Sequence, residues 1–264
     1  VVAFSHHGLH IPPTLGPPTP LCLIAAMAGP SGVGKTKAER LANRLVPATD
    51  PECDNMPLGS GEGLIESMFE LRNETEDGKR VARKVQVRHN AFVYADEGKV
   101  LGELAGRQGS TLTSTLRSIF SGATIGQTNA SRETHRRLDA GTYTFGVLIG
   151  IQPRVAIDLF SDTEVAAGTT QRFLWACAQH PRIGEDEGAD PQWRWEPLPK
   201  LFGLADSYPI GTPEDVFAEV RARIIARARG EAEAGDLDSH RDLLRLKVMG
   251  ALALLHGRQD ADLD

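Results

Sequence analysis

The eight residues Gly29-Pro30-Ser31-Gly32-Val33-Gly34-Lys35-Thr36 constrain this chain more than any others. They follow a short apolar run, Leu21-Cys22-Leu23-Ile24-Ala25-Ala26-Met27, bounded by Pro and Gly, which is the pattern of a strand buried on both faces. From Gly34 to Leu45 the residues favour a helix. Strand, glycine-rich turn and helix in that order form a cradle for a polyphosphate. The glycines let backbone N–H groups close around the anion, Lys35 reaches the outer phosphates, and the Thr36 hydroxyl can bind Mg²⁺. The helix dipole faces the same phosphates. Gly29 to Thr36, with Lys37 directly after them, are the predicted nucleotide-binding residues.

A second apolar run, Ala91-Phe92-Val93-Tyr94-Ala95, ends in Asp96-Glu97. Metal binding and water activation need two different carboxylates at one strand end. Asp96 is the predicted Mg²⁺ carboxylate, and Glu97 the predicted base that orients and deprotonates the attacking water. Glu62 and Glu66, in Gly59-Ser60-Gly61-Glu62-Gly63-Leu64-Ile65-Glu66, compete for the role of base. A third buried-strand pattern, Thr144 to Ile151, ends in Gln152-Pro153. An amide at a central strand tip can donate to a γ-phosphate, so Gln152 is a candidate sensor. Arg172, in Gly168-Thr169-Thr170-Gln171-Arg172-Phe173-Leu174-Trp175, is a candidate finger that would reach a neighbouring subunit's γ-phosphate, and Arg154 is the weaker one.

The formal net charge of -6 argues against a general nucleic-acid-coating protein, so charge has to be read by segment. Between Arg107 and Arg137 the chain is rich in Ser, Thr and Gly. It carries Arg107, Arg117, Arg132, Arg136 and Arg137 against the single acid Glu133. Hydroxyls, backbone amides and arginines together suit the sugar-phosphate chain of a single strand, and a solvated loop beside one helix over Thr111 to Phe120 is the alternative. Cys22, Cys53 and Cys177 show no metal-ligand spacing, which fits a reducing, cytoplasmic compartment. The longest apolar stretches are too short for a bilayer. The histidines His6, His7 and His10 lack acidic or thiol companions, so metal binding there is not expected.

With 264 residues the chain is expected to form one domain with a helical annex. Residues 1–20 include Pro12, Pro13, Pro17 and Pro18 and read as a linker or N-terminal arm; 21–205 read as the core and 206–264 as a C-terminal helical segment. The absence of an initiating Met fits a fragment of a longer protein. Thr212-Pro213-Glu214-Asp215 starts one helix, and a Leu-rich helix follows Asp238-Ser239.

With these motifs in place, the chain resembles the RecA-type ATPase domain of primase-helicases from actinobacteria, their plasmids and phages. The matching words run nearly end to end: GPSGVGKT, PLGSGEGLIE, VYADEGKVL, STLTSTLRSIFSG, IGIQP, GTTQRFLWA and HRDLLRLKVMGALALLHG. The resemblance implies a RecA-like α/β P-loop core with a central, mainly parallel sheet flanked by helices, and a C-terminal helical segment. It implies ATP with Mg²⁺, a homo-oligomeric ring such as a hexamer around single-stranded DNA, and a primase-polymerase module in the full-length protein. It places Lys35 and Thr36 at the phosphates, Asp96 and Glu97 at metal and water, Gln152 as sensor and Arg172 as finger.

Two other classes stay open. GPSGVGKT is also the loop of guanylate kinases, and the segment Arg136 to Phe145 echoes their later motif, although a whole acidic strand separates loop and echo here. The second is a non-catalytic assembly module that binds ATP as a structural switch.

Overall fold

The computed structural model describes residues 1–14, 16–48, 54–76, 79–96, 111–127, 136–184, 190–196, 207–232, 235 and 237–258. A 3₁₀ turn over Val2–Phe4 leads into β1 (Leu9–Ile11) and β2 (Thr19–Pro20), which pair antiparallel. The apolar run before the glycine-rich turn becomes β3 (Leu23–Ala28), and α1 (Lys35–Leu45) follows the turn. Then come β4 (Met56–Pro57), α2 (Gly61–Glu66), a ribbon of β5 (Phe69–Glu76) and β6 (Lys79–Gln86), and the acidic strand β7 (Asn90–Ala95). Next are α3 (Leu112–Ser121), a second ribbon of β8 (Ile125–Gln127) and β9 (Arg136–Leu138), β10 (Thr144–Ile151), and short helices α4 (Pro153–Ala156) and α5 (Asp162–Ala166). Strands β11 (Phe173–Cys177) and β12 (Tyr208–Pro209) precede α6 (Glu214–Ala228) and α7 (Arg241–Leu255).

The fold is α/β. Its centre is a five-stranded sheet in the order β11-β3-β10-β7-β4, and every pairing is parallel. Parallel neighbours need crossover connections, which put helices on the sheet faces and favour apolar strands. One face is dry: Ile24, Ala26, Val93, Phe145, Val147 and Ile149 meet Leu64 and Ile65 of α2 and Leu112, Leu116, Ile119 and Phe120 of α3 in one cluster. The α3 residues recur at i, i+4, i+7 and i+8, a single helical stripe. Its end is set by Gly122, at φ 68°, where the left-handed conformation lets two backbone N–H groups turn back to the last carbonyls.

The N-terminal residues are not a linker, as their prolines led us to expect. Val2, Ala3, Phe4, Leu9 and Ile11 are buried, and apolar burial outweighs the composition signal. The Asn90 side chain donates to the Ala3 carbonyl at 3.0 Å, fixing the first turn on the central sheet. Strand β1 pairs in parallel with β12, so the expected arm and the C-terminal segment share one small sheet. A second cluster then joins Leu9, Ile11 and Leu21 to Val216 and Val220 of α6 and Leu246 and Leu254 of α7.

Two charged groups organise the C-terminal helices. Asp242, 4% exposed, is held by Arg223 at 2.7 Å and Arg227 at 3.0 Å from α6. Lys247 is fully buried; its ammonium donates to the carbonyls of Cys22, at 2.8 Å, and Phe120, and lies 4.2 Å from the centre of the Phe120 ring. It ties α7 to the start of β3 and the end of α3. Among the described residues no helix is long and apolar enough to cross a membrane.

Candidate active site

Strand order decides what meets at the glycine-rich turn. Chain order runs β4, β7, β10 inward toward β3, and β11 then takes the far side of β3. A crevice at the carboxyl ends of the strands beside such a reversal is where open α/β sheets take ligands. Here that crevice lies at the ends of β3 and β10, with β7 next to β10. It contains a cavity of ≈ 480 Å³ lined by Ser31, Gly32, Gly34, Lys35, Thr36 and Lys37 of the turn and helix, Asp96 after β7, Gly150 and Gln152 at the end of β10, and Val155 of α4.

The turn has the backbone an anion cradle needs. Gly32 and Gly34 sit at φ 80° and 92°, where a side chain would be strained. Gly34 is the N-cap of α1, and the first turn of that helix carries no acid of its own, which leaves the start of the helix dipole at the cavity. The Lys35 ammonium donates to the carbonyls of Gly29 at 2.9 Å and Pro30 at 2.7 Å, folded over the turn it serves. Gly150 gives it room: a Cβ there would come within 2.9 Å of the Asp96 carbonyl and 3.6 Å of Lys35 Cε.

The acidic strand reaches the same point. Thr36 Oγ1 donates to Asp96 Oδ1 at 2.8 Å, and Tyr94 Oη donates to the same oxygen at 2.9 Å. Burial, then the bond to Asp96, pushes the Tyr94 phenol up to about 12, so it stays a donor. Behind them Glu39 of α1 is 5% exposed and accepts from Asn43. Burial raises its pKa, and Asp54 and Asp96 add to that rise against the opposing charge of Arg40. Sequence reasoning missed both residues. Tyr94 lies two positions before Asp96, hence on the same strand face, and Glu39 lies one helical turn after Thr36; these spacings were the available signals.

A hydroxyl and a carboxylate bonded to each other at the mouth of a phosphate cradle form a hard-oxygen pair suited to Mg²⁺, which takes one or two protein oxygens and fills its octahedron from phosphates and water. Among the described residues no group of three or more His, Cys, Asp or Glu side chains is gathered to hold a metal. Asp96 is the sole described carboxylate lining the cavity. Glu97 lies outside the described residues.

The rival bases are engaged elsewhere. Glu66 accepts from Lys84 at 2.6 Å through both oxygens and from Arg136. Burial disfavours its charge, but these two cations hold its pKa below the usual carboxylate value, which leaves it a poor base. Glu62 accepts from Gln127 at 2.9 Å in a separate pocket of ≈ 200 Å³ lined by hydroxyls of Thr111, Ser114, Thr115 and Ser118. Its burial is outweighed by hydrogen bonds, so it too lies low.

Gln152 is exposed at the tip of β10 and lines the cavity. Arg172 does not line it. It lies at the amino end of β11, while the cavity is at the carboxyl end, and its guanidinium donates to the Gly168 carbonyl. Burial and then Arg117 lower its pKa, and His240 beside it is pushed down to about 4 by burial, Arg172 and Lys247. Arg154 is exposed, two residues past Gln152. An inward, half-buried Arg172 is expected to support the fold. Arg172→Ala should cost about 1–2 kcal/mol in thermal unfolding; unchanged unfolding with turnover lost only in the assembled state would instead restore the finger.

The described arginines of the basic segment do not form one surface. Arg107 and Arg132 lie outside the described residues. Arg117 is turned inward to Thr169 at 2.7 Å and Glu164 at 3.5 Å, and Arg136 to Glu66. Only Arg137 of the three described is exposed, and it pairs with Asp139 at 2.7 Å. The chain matches no family model and no curated protein.

Proposed function

We propose that the chain is a RecA-like P-loop ATPase, the motor domain of a helicase or primase-helicase that acts on single-stranded DNA as a ring. The observation that carries the nucleotide half of this reading is the Thr36–Asp96 hydrogen bond of 2.8 Å, which joins the phosphate cradle to the acidic strand across β10. With ATP bound, Lys35 would exchange its two backbone carbonyls for phosphate oxygens. Thr36 and Asp96 would hold Mg²⁺, which would supply charge neutralisation for the phosphates. Gln152 would donate its amide toward the γ-phosphate, and Glu97, next to Asp96 in sequence, would take the proton of the attacking water.

The kinase alternative loses its support from the echo segment. Arg136 is neutralised by Glu66, and Leu138 is buried in the core cluster, so neither is presented to a second substrate. The binding-only alternative is favoured by one observation, the single described carboxylate in the cavity, and it stands or falls with Glu97.

The DNA half rests on the family resemblance alone, since the described arginines of the basic segment are paired within the chain. ATP turnover is expected to rise at least about fivefold with single-stranded DNA, measured together with mass in solution. Turnover indifferent to DNA, or raised by a nucleoside monophosphate, would sink the motor reading.

A further inference from the structure

We propose that Tyr94 is a positioning residue for the metal carboxylate, locking Asp96 so that one oxygen is spent on the protein and the other is offered to the cation. This rests on the nucleotide reading of the site. A carboxylate oxygen has two lone pairs. Both lone pairs of Asp96 Oδ1 are occupied, one by the hydroxyl of Thr36 at 2.8 Å and one by the phenol of Tyr94 at 2.9 Å. Oδ2 is then the oxygen left for a cation, on a residue that lines the cavity.

The two donors differ in what a cation asks of them. Thr36 Oγ1 can coordinate the ion through its own lone pair while its O–H still donates to Asp96, so it serves cation and carboxylate at once. Tyr94 is not part of the cavity lining and has no such second task. Its reach follows from the strand: residues two apart project from the same face about 6.6 Å apart, a span a phenol bridges. Tyr94 is in register with Leu148 of β10 on one side and Pro57 of β4 on the other, so its backbone is paired on both flanks. The ring is half-buried. Partners of metal ligands held this way orient the ligand before the ion arrives, and losing one typically costs about 10–100-fold in metal affinity.

The test is Mn²⁺ binding, followed by electron paramagnetic resonance with a non-hydrolysable ATP analogue, in wild type and Tyr94→Phe. Analogue affinity is measured separately in chelator. Tyr94→Phe keeps the ring, and thermal unfolding without metal checks the fold. The expected result is wild-type analogue affinity in chelator with Mn²⁺ affinity weakened about tenfold or more. Equal Mn²⁺ affinity in the two proteins overturns the role of Tyr94 and leaves the nucleotide reading intact. A wild-type protein that binds neither analogue nor Mn²⁺ overturns both.

Discussion

Replacing Lys35 by alanine is expected to reduce ATP turnover by about a thousandfold, to the background of the assay. Losing one preorganised charged donor at a developing anion typically costs about 10²–10³ in rate, and among the described lining residues the other cation, Lys37, has no anchor on the turn. Lys37 lines the cavity but is exposed, and the remaining lining groups are neutral or acidic. The ammonium is already anchored on Gly29 and Pro30, so its removal deletes a group positioned before any ligand enters. Glu97→Gln separates hydrolysis from binding alone. If Glu97 is the base, this variant binds ATP at least as tightly as wild type and turns it over at least about a hundredfold more slowly. Slow turnover in wild type, unchanged by Glu97→Gln, would identify a binding module instead.

The largest effect on stability is expected at Lys247. Methionine fills a similar volume, so Lys247→Met opens no cavity, but it strips the ammonium from two buried carbonyls, Cys22 O and Phe120 O. At about 1–3 kcal/mol for each unsatisfied group, the variant should lose roughly 3 kcal/mol and unfold some 6–12 °C lower. A midpoint that is unchanged or higher would mean that the cost of burying the charge exceeds what its bonds return.

The pH dependence gives an independent reading of the same residue. Burial lowers the Lys247 pKa from 10.5 to about 8. Above about pH 8 the unfolded chain therefore holds a proton that the folded chain releases, and stability rises with pH until the free lysine titrates near 10.5. Cys22 acts in the opposite sense: burial raises its thiol above 9.0, so the unfolded chain loses that proton first and stability falls from there. Between pH 8 and 9 wild type should gain up to about 1 kcal/mol that Lys247→Met does not. Parallel stability curves for the two proteins would contradict this assignment.

The cavity at the glycine-rich turn was legible in the sequence because an anion cradle depends on backbone geometry that only certain residues permit. Gly32 and Gly34 at positive φ, Lys35, and an acid at the end of an apolar strand could be read from types and spacing. What could not be read was which carboxylates are already spoken for. Glu62 and Glu66 look like free acids in sequence, yet the partners that bind them, Gln127, Lys84 and Arg136, come from distant ribbons. Arg117 and Arg136 misled for the same reason: a cation count by segment cannot tell a surface from a set of internal pairs. Lys247 was hidden in a leucine-rich helix whose pattern is that of packing. The folding of residues 1–14 was concealed by their prolines.

The order of the central sheet also bears on how the chain emerges from a ribosome. Strand β3 is made early, but its two neighbours, β10 and β11, are encoded far downstream, and β1 must await β12 near the C-terminal helices. A nascent chain that has just exposed the glycine-rich turn has neither flank to hold it open. Any ligand of the turn is therefore held only after β10 and β11 have been made, and until then the apolar β3 is a segment for chaperones to shield.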